Sequence, residues 1–173
     1  MRPQKQSNQS LPVSSKRNTD LLSVCSNGGD FIKKFNFDFC SDRYRSVETL
    51  RDAIGFKSLT LRDVSETYNQ FTPELLLQAW LANLSVFMDF EITDQQAVET
   101  SKYMYRELKQ LTLPLLTLFF QYLKMGKYGP FYGKFNGQKI LIACAEFRKE
   151  ISRENMKIAN EQNIARINKL YER

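Results

Sequence analysis

The 173 residues, 42% hydrophobic and including 13 Phe, 8 Tyr and 1 Trp, suffice for one ordinary domain with appendages. Lys and Arg outnumber Asp and Glu by 25 to 19, and there is no histidine, which excludes Ser-His triads and most zinc sites. Cys25, Cys40 and Cys144 are odd in number and far apart, which argues against a disulfide framework or a Cys-only metal site and predicts free thiols in a reducing cytosol.

Charge divides by region. Residues 1–46 carry eight basic and four acidic groups, residues 47–123 six and ten, and residues 124–173 eleven and five. The ends are basic and the body acidic, a division that suits either attraction of the ends to a polyanion or simply solvated helix faces.

In chain order, residues 1–19 are rich in Ser, Gln, Asn, Lys and Arg, with too few apolar anchors to repay ordering, and are expected to form a disordered tail. They contain no apolar run of signal-peptide length, so export is not expected. Residues 20–45 hold two apolar clusters separated by the turn signal Ser26–Asp30. Phe31, Phe35, Phe37 and Phe39 mix periods of four and two, leaving helix and strand open in a segment expected to wrap over the main body.

The helical domain is expected over residues 46–150. Two short helices are predicted over Ser46–Ile54 and Thr60–Asn69, with Gly55 between them and Thr60 and Asp63 marking the second start. A longer helix opens at Thr72 with Pro73 in its first turn and runs to about Phe90. Leu76, Trp80, Leu84 and Phe87 share one face, flanked by Leu77, Leu81 and Met88, a breadth that predicts a central core helix. Thr93 and Gln96 have capping-box spacing for the next helix, with Val98, Met104, Tyr105 and Leu108 as its buried stripe. Thr112 is expected to cap a helix from Leu113 with Pro114 in its first turn, and Gly126 to end it in left-handed conformation. The run Leu111–Leu123 is shorter than the ~20 residues a bilayer requires, so no membrane partner is expected and the protein is read as cytoplasmic.

Asn136 or Gly137 opens the last helix, apolar at Ile140, Leu141, Cys144 and Phe147. Beyond Glu150 it turns polar, keeping Ile151, Ile158 and Ala165 at seven-residue intervals, so residues 151–173 are read as a polar extension that either projects from the body or lies across it. Strand patterns are scarce, and the expected class is all-α: a compact helical bundle with a disordered N-terminal tail and a long C-terminal helix.

Between the last two helices lies "KMGKYGPFYGKFNG", residues 124–137, with Gly126, Gly129, Gly133 and Gly137, four of the seven glycines. Gly129–Lys134 approaches a Walker loop, but it has one residue too few between the glycines, Phe135 in place of Ser or Thr, and no preceding strand, so no nucleotide cofactor is expected. The acids Asp89, Glu91 and Asp94, and the pair Asp63 and Glu66, read as cap and loop residues; with no hydrolytic motif, neither an enzyme nor a small-molecule substrate is expected. Two readings of the loop remain. In one, Tyr128, Phe131, Tyr132 and Phe135 stack unpaired bases while Lys124, Lys127, Lys134 and Lys139 meet phosphates, and Arg148, Lys149, Arg153 and Lys157 extend the basic surface. In the other, the glycines allow a tight corner that the rings fill.

The order of an apolar helix, Gly126, Tyr128, Gly129 and Tyr132, then a helix through Ile140 to Phe147, resembles small helical proteins of phages and mobile elements, especially from Bacteroidetes, over about residues 72–150. More loosely it is similar to phage helicase-loader and replication-accessory proteins. That resemblance implies a non-enzymatic accessory protein of mobile-element DNA replication or maintenance, with a replicative helicase or other replication protein as partner and DNA contacted by a basic end. A DNA-binding regulator using the basic final helix and a purely structural interaction module are the alternatives.

Overall fold

The computed structural model describes residues 20–131 and 133–171. They form nine helices, in agreement with the all-α expectation: α1 (residues 20–24), α2 (Gly28–Lys34), α3 (Phe37–Arg43), α4 (Leu50–Gly55), α5 (Leu61–Thr67), α6 (Thr72–Met88), α7 (Asp94–Leu108), α8 (Leu113–Lys124) and α9 (Gly137–Tyr171). The disorder expected for residues 1–19 lies outside the described residues.

Local chemistry sets most helix starts. Thr49 with Asp52, Thr60 with Asp63, and Thr93 with Gln96 form reciprocal capping boxes at α4, α5 and α7, each satisfying free backbone N–H groups at both ends of the pair. Asn27 and Asn36 cap α2 and α3 through their side-chain oxygens. The phenylalanine segment that left helix and strand open is therefore two short helices, broken where Asn36 begins the second.

Thr112 behaves differently from expectation. Its side chain makes no capping bond, and its hydroxyl is buried without a partner among the described residues. Its backbone instead lies in an antiparallel bridge with Thr60, flanked by Leu61 N–H donating to the Leu111 carbonyl at 3.1 Å and Leu113 N–H donating to the Leu59 carbonyl at 2.9 Å. This bridge ties the start of α8 to the start of α5.

The core gathers around α6 and α8. Trp80 packs edge-on against Phe37 and Phe120, and its indole N–H donates to the Phe35 carbonyl at 3.0 Å. The N-terminal helices thus contribute rings to the central cluster: α2 packs on α6, and α3 on α8. α7 lies against both α6 and α9, with Met104 and Leu108 fully buried alongside Thr100 and Ser101. The stripe differs from the predicted one at Val98 and Tyr105, which are half-buried.

α6 departs more informatively. Leu76, Leu77, Trp80, Leu81 and Leu84 are inaccessible as expected, but Phe87 is 60% exposed, because α6 ends at Met88 with Asp89 in left-handed conformation (φ 53°) and its last turn reaches past the core. Cys25, Cys40 and Cys144 are buried free thiols. Burial pushes the Cys40 thiol up to about 12 and raises those of Cys25 and Cys144, so all three are poor nucleophiles held as core residues.

Candidate nucleic-acid interface

The glycine-rich segment forms the corner between α8 and α9. At the end of α8, Gly126 (φ 72°) donates its N–H to the Leu123 carbonyl at 3.0 Å, and Lys127 N–H reaches the Tyr122 carbonyl at 3.0 Å, a left-handed helix stop. Gly129 (φ 88°) then donates to the Gly126 carbonyl at 2.9 Å, and Gly133 is also left-handed (φ 65°). Gly137 serves a different need: a Cβ there would lie 2.7 Å from the Thr100 hydroxyl, so its bareness lets α9 approach α7. Asn136 caps α9 by accepting from Lys139 N–H at 3.0 Å.

The rings between these glycines are engaged with the body. Phe131 and Phe135 both pack on Phe90, at 5.8 and 5.7 Å between centroids. Tyr128 packs on Phe119 at 6.0 Å and donates its hydroxyl to Glu150 at 3.2 Å; burial, followed by the nearby carboxylate, raises its pKa. Tyr132 lies outside the described residues.

The predicted phosphate-binding lysines divide in the same way. Lys124 lies 3.9 Å above the Phe37 ring and donates to the Asn83 side chain at 2.7 Å, in surroundings buried enough to lower its pKa. Lys127 is paired with Glu150 and sits 3.8 Å above the Tyr122 ring. Lys139 donates to the Pro130 carbonyl and lies over Phe131. Lys127 and Lys134 are exposed, and Lys124 and Lys139 are half-buried. Among the described residues, the loop therefore presents packed rings and, at Lys124, Lys127 and Lys139, lysines engaged within the chain.

The basic residues of α9 are arranged otherwise. At 100° per residue, Ile140, Ala143, Cys144 and Phe147 form its buried face. Of its four described acids, three turn toward the body: Glu150 meets Lys127 beside that face, and Glu154 and Glu161 both bind Arg51 of α4, at 2.7 and 2.9 Å. Opposite them, Arg148, Lys149 and Arg153 are exposed and, with Ala145 and Ser152, line an open groove of roughly 470 Å³. Arg148 also reaches Glu107 of α7, Lys149 pairs with Glu146 at 2.8 Å, and Lys157 pairs with Glu154 at 3.5 Å. The first two pairs are solvent-exposed on both sides, where an ion pair contributes little, whereas Glu154 is largely covered and shared with Arg51.

The Arg51 clasp also settles how the polar end of α9 runs. Ile151, Glu154 and Ile158 are half-buried, while every described residue from Ala159 to Tyr171 is exposed. α9 thus lies along the body through its first half and projects beyond it.

The predicted acid pairs are structural. Asp63 is the capping-box acid of α5, and Glu66 pairs with Arg62 at 2.8 Å. Asp89 and Glu91 line an open groove with Lys134 and Phe135. No helix among the described residues is long and apolar enough to cross a membrane. No known protein family, curated protein or solved structure matches the chain.

Proposed function

We propose that the protein is a non-enzymatic accessory protein of mobile-element DNA replication or maintenance, contacting nucleic-acid phosphates through the outer face of α9 and a protein partner through its acidic helical body. The observation that carries this reading is the charge division of α9: Glu150, Glu154 and Glu161 are drawn to Lys127 and Arg51, and on the exposed side the three cations Arg148, Lys149 and Arg153 stand against the two acids Glu107 and Glu146. The placement in mobile-element replication rests on the resemblance carried by Gly126, Tyr128, Gly129 and the helices that flank them.

The test is binding of labelled single- and double-stranded oligonucleotides across a salt series. Each phosphate contact contributes about 0.9 to the slope of log affinity against log salt on duplex and about 0.7 on single strands. Replacing Arg148, Lys149 and Arg153 together by Gln should lower the duplex slope by roughly 2 to 3 with the melting temperature nearly unchanged. Unaltered affinity and slope would refute the α9 contact. A DNA-binding regulator would use the same face, because it is open to solvent along its length; strong preference for one duplex sequence favours that reading, and recovery of a replicative helicase in a pull-down favours the accessory one.

A further inference from the structure

A cavity of about 370 Å³, open to solvent, lies between α1, the end of α3, the connection from α4 to α5 and the start of α8. Leu21, Val24, Phe35, Leu59 and Leu113 give it an apolar lining. Its walls are fixed by bonds within the chain. The Tyr68 hydroxyl is shared between the Leu21 and Cys25 carbonyls at 3.3 and 3.2 Å, which pins α1. Leu113 N–H donates to the Leu59 carbonyl at 2.9 Å, and the Phe35 ring stacks on Phe31 at 4.5 Å. A pre-formed cavity of this size, apolar with a few polar groups, is the usual form of a small-molecule site.

The polar groups of the lining gather at one place. Tyr44 and Ser58 share a hydrogen bond at 3.2 Å, and the Phe56 ring braces Tyr44 edge-on at 5.3 Å. Each hydroxyl is next in sequence to a cation, so this one bond brings Arg43 and Lys57 to the same edge of the cavity, and both line it. Both are exposed and have no hydrogen-bond or ion-pair partner among the described residues. Two hydroxyls carry two protons and their mutual bond uses one, so one O–H is left to donate. Asp20 is the one acid on the lining, against two cations.

We propose that this cavity binds a small organic carboxylate with an apolar chain. The carboxylate is taken by Arg43, Lys57 and the spare hydroxyl proton, and the chain lies on Leu21, Val24 and Leu59. An inorganic anion would use the charged edge and leave the apolar lining bare. An apolar cation would find Asp20 alone to meet it and two like charges to oppose it. Because the cations are exposed, burial of the chain supplies most of the affinity and the charges supply the selectivity. No residue of α9 takes part, so the site is independent of the nucleic-acid reading.

The test is titration of the full chain, without DNA, with octanoate, followed by amide chemical shifts. Saturation at one equivalent with a Kd of about 0.1–1 mM is expected, with the largest shifts in residues 20–24, 43–44 and 57–59. Butanoate should bind at least about tenfold more weakly, because its chain covers less of the lining. Octyltrimethylammonium, with the same chain and the opposite charge, should also lose at least about tenfold. The double variant Arg43→Gln/Lys57→Gln should weaken octanoate by a similar factor with an unchanged thermal melt, since both side chains are exposed. No saturation below about 10 mM, shifts centred elsewhere, equal affinity for octanoate and octyltrimethylammonium, or a double variant that binds octanoate as the parent does overturns the proposal.

Discussion

Truncating Tyr128 separates a packed corner from a base-stacking surface. The ring is half-buried against Phe119, and its hydroxyl donates to Glu150 at 3.2 Å. A fully buried aromatic truncated to Ala costs about 3–5 kcal/mol, so half that burial sets about 2 kcal/mol. Losing a hydrogen bond to a charged acceptor adds at most about 1 kcal/mol here, because Glu150 keeps Lys127 as a partner. Tyr128→Ala should therefore lower stability by about 2–3 kcal/mol, and Tyr128→Phe by less than about 1 kcal/mol. Urea denaturation monitored by circular dichroism reads this as a shift in midpoint with constant slope. Single-stranded DNA affinity, measured well below the unfolding transition, should change less than about twofold, whereas removing a stacking ring would cost about 1–3 kcal/mol of binding. A constant midpoint combined with a tenfold loss of single-strand affinity would refute the packed corner.

Two backbone predictions have opposite signs. Gly129→Ala should cost about 1–2 kcal/mol in denaturant titration, because its φ of 88° is unfavourable to any side chain, while Asp89→Gly should gain about 0.5–1 kcal/mol, because Asp89 already occupies left-handed conformation at 53°. Arg51→Ala should release the projecting half of α9, raising amide exchange over residues 155–171 while the global melt moves little, since the clasp lies on the exposed surface. Acid should do the same: the hydrogen bond from Arg51 holds the Glu154 carboxyl below its ordinary 4.5, so the tie is complete above that pH and is lost as pH falls through the depressed value. Exchange at pH 7 that is identical with and without Arg51 would dismiss the clasp.

The sequence revealed helix starts wherever the capping chemistry is local. Thr60 with Asp63 and Thr93 with Gln96 act across three residues, so spacing alone identifies them. Thr112 precedes a helix with Pro114 in its first turn but has Leu115, not an acid or amide, three residues on, and its backbone is engaged by Thr60, a long-range pairing invisible to a helix-start pattern. The corner was legible in the same sense: Gly126 at the end of an apolar run predicts a left-handed stop. The partners of its rings were not, since Phe90 and Phe119 come from elsewhere in the chain.

Charge poses the harder problem, because composition fixes how many lysines a segment carries and not which way they point. Lys127 and Arg153 look alike in sequence; one meets Glu150, 23 residues onward, and the other borders an open groove. Hydrophobic breadth misleads in the corresponding way. The wide apolar face of α6 read as a single core surface, and Leu76, Leu77, Trp80, Leu81 and Leu84 do face inward, but Phe87 on the same face is 60% exposed, and Phe71, Leu75 and Val86 outside that face also meet solvent. Periodicity reports that a side of a helix prefers to leave water, and it is silent on whether the chain itself supplies the cover. On α6 the inner side is met by Phe37 and Phe120, whereas Phe71, Leu75 and Val86 are left to solvent among the described residues.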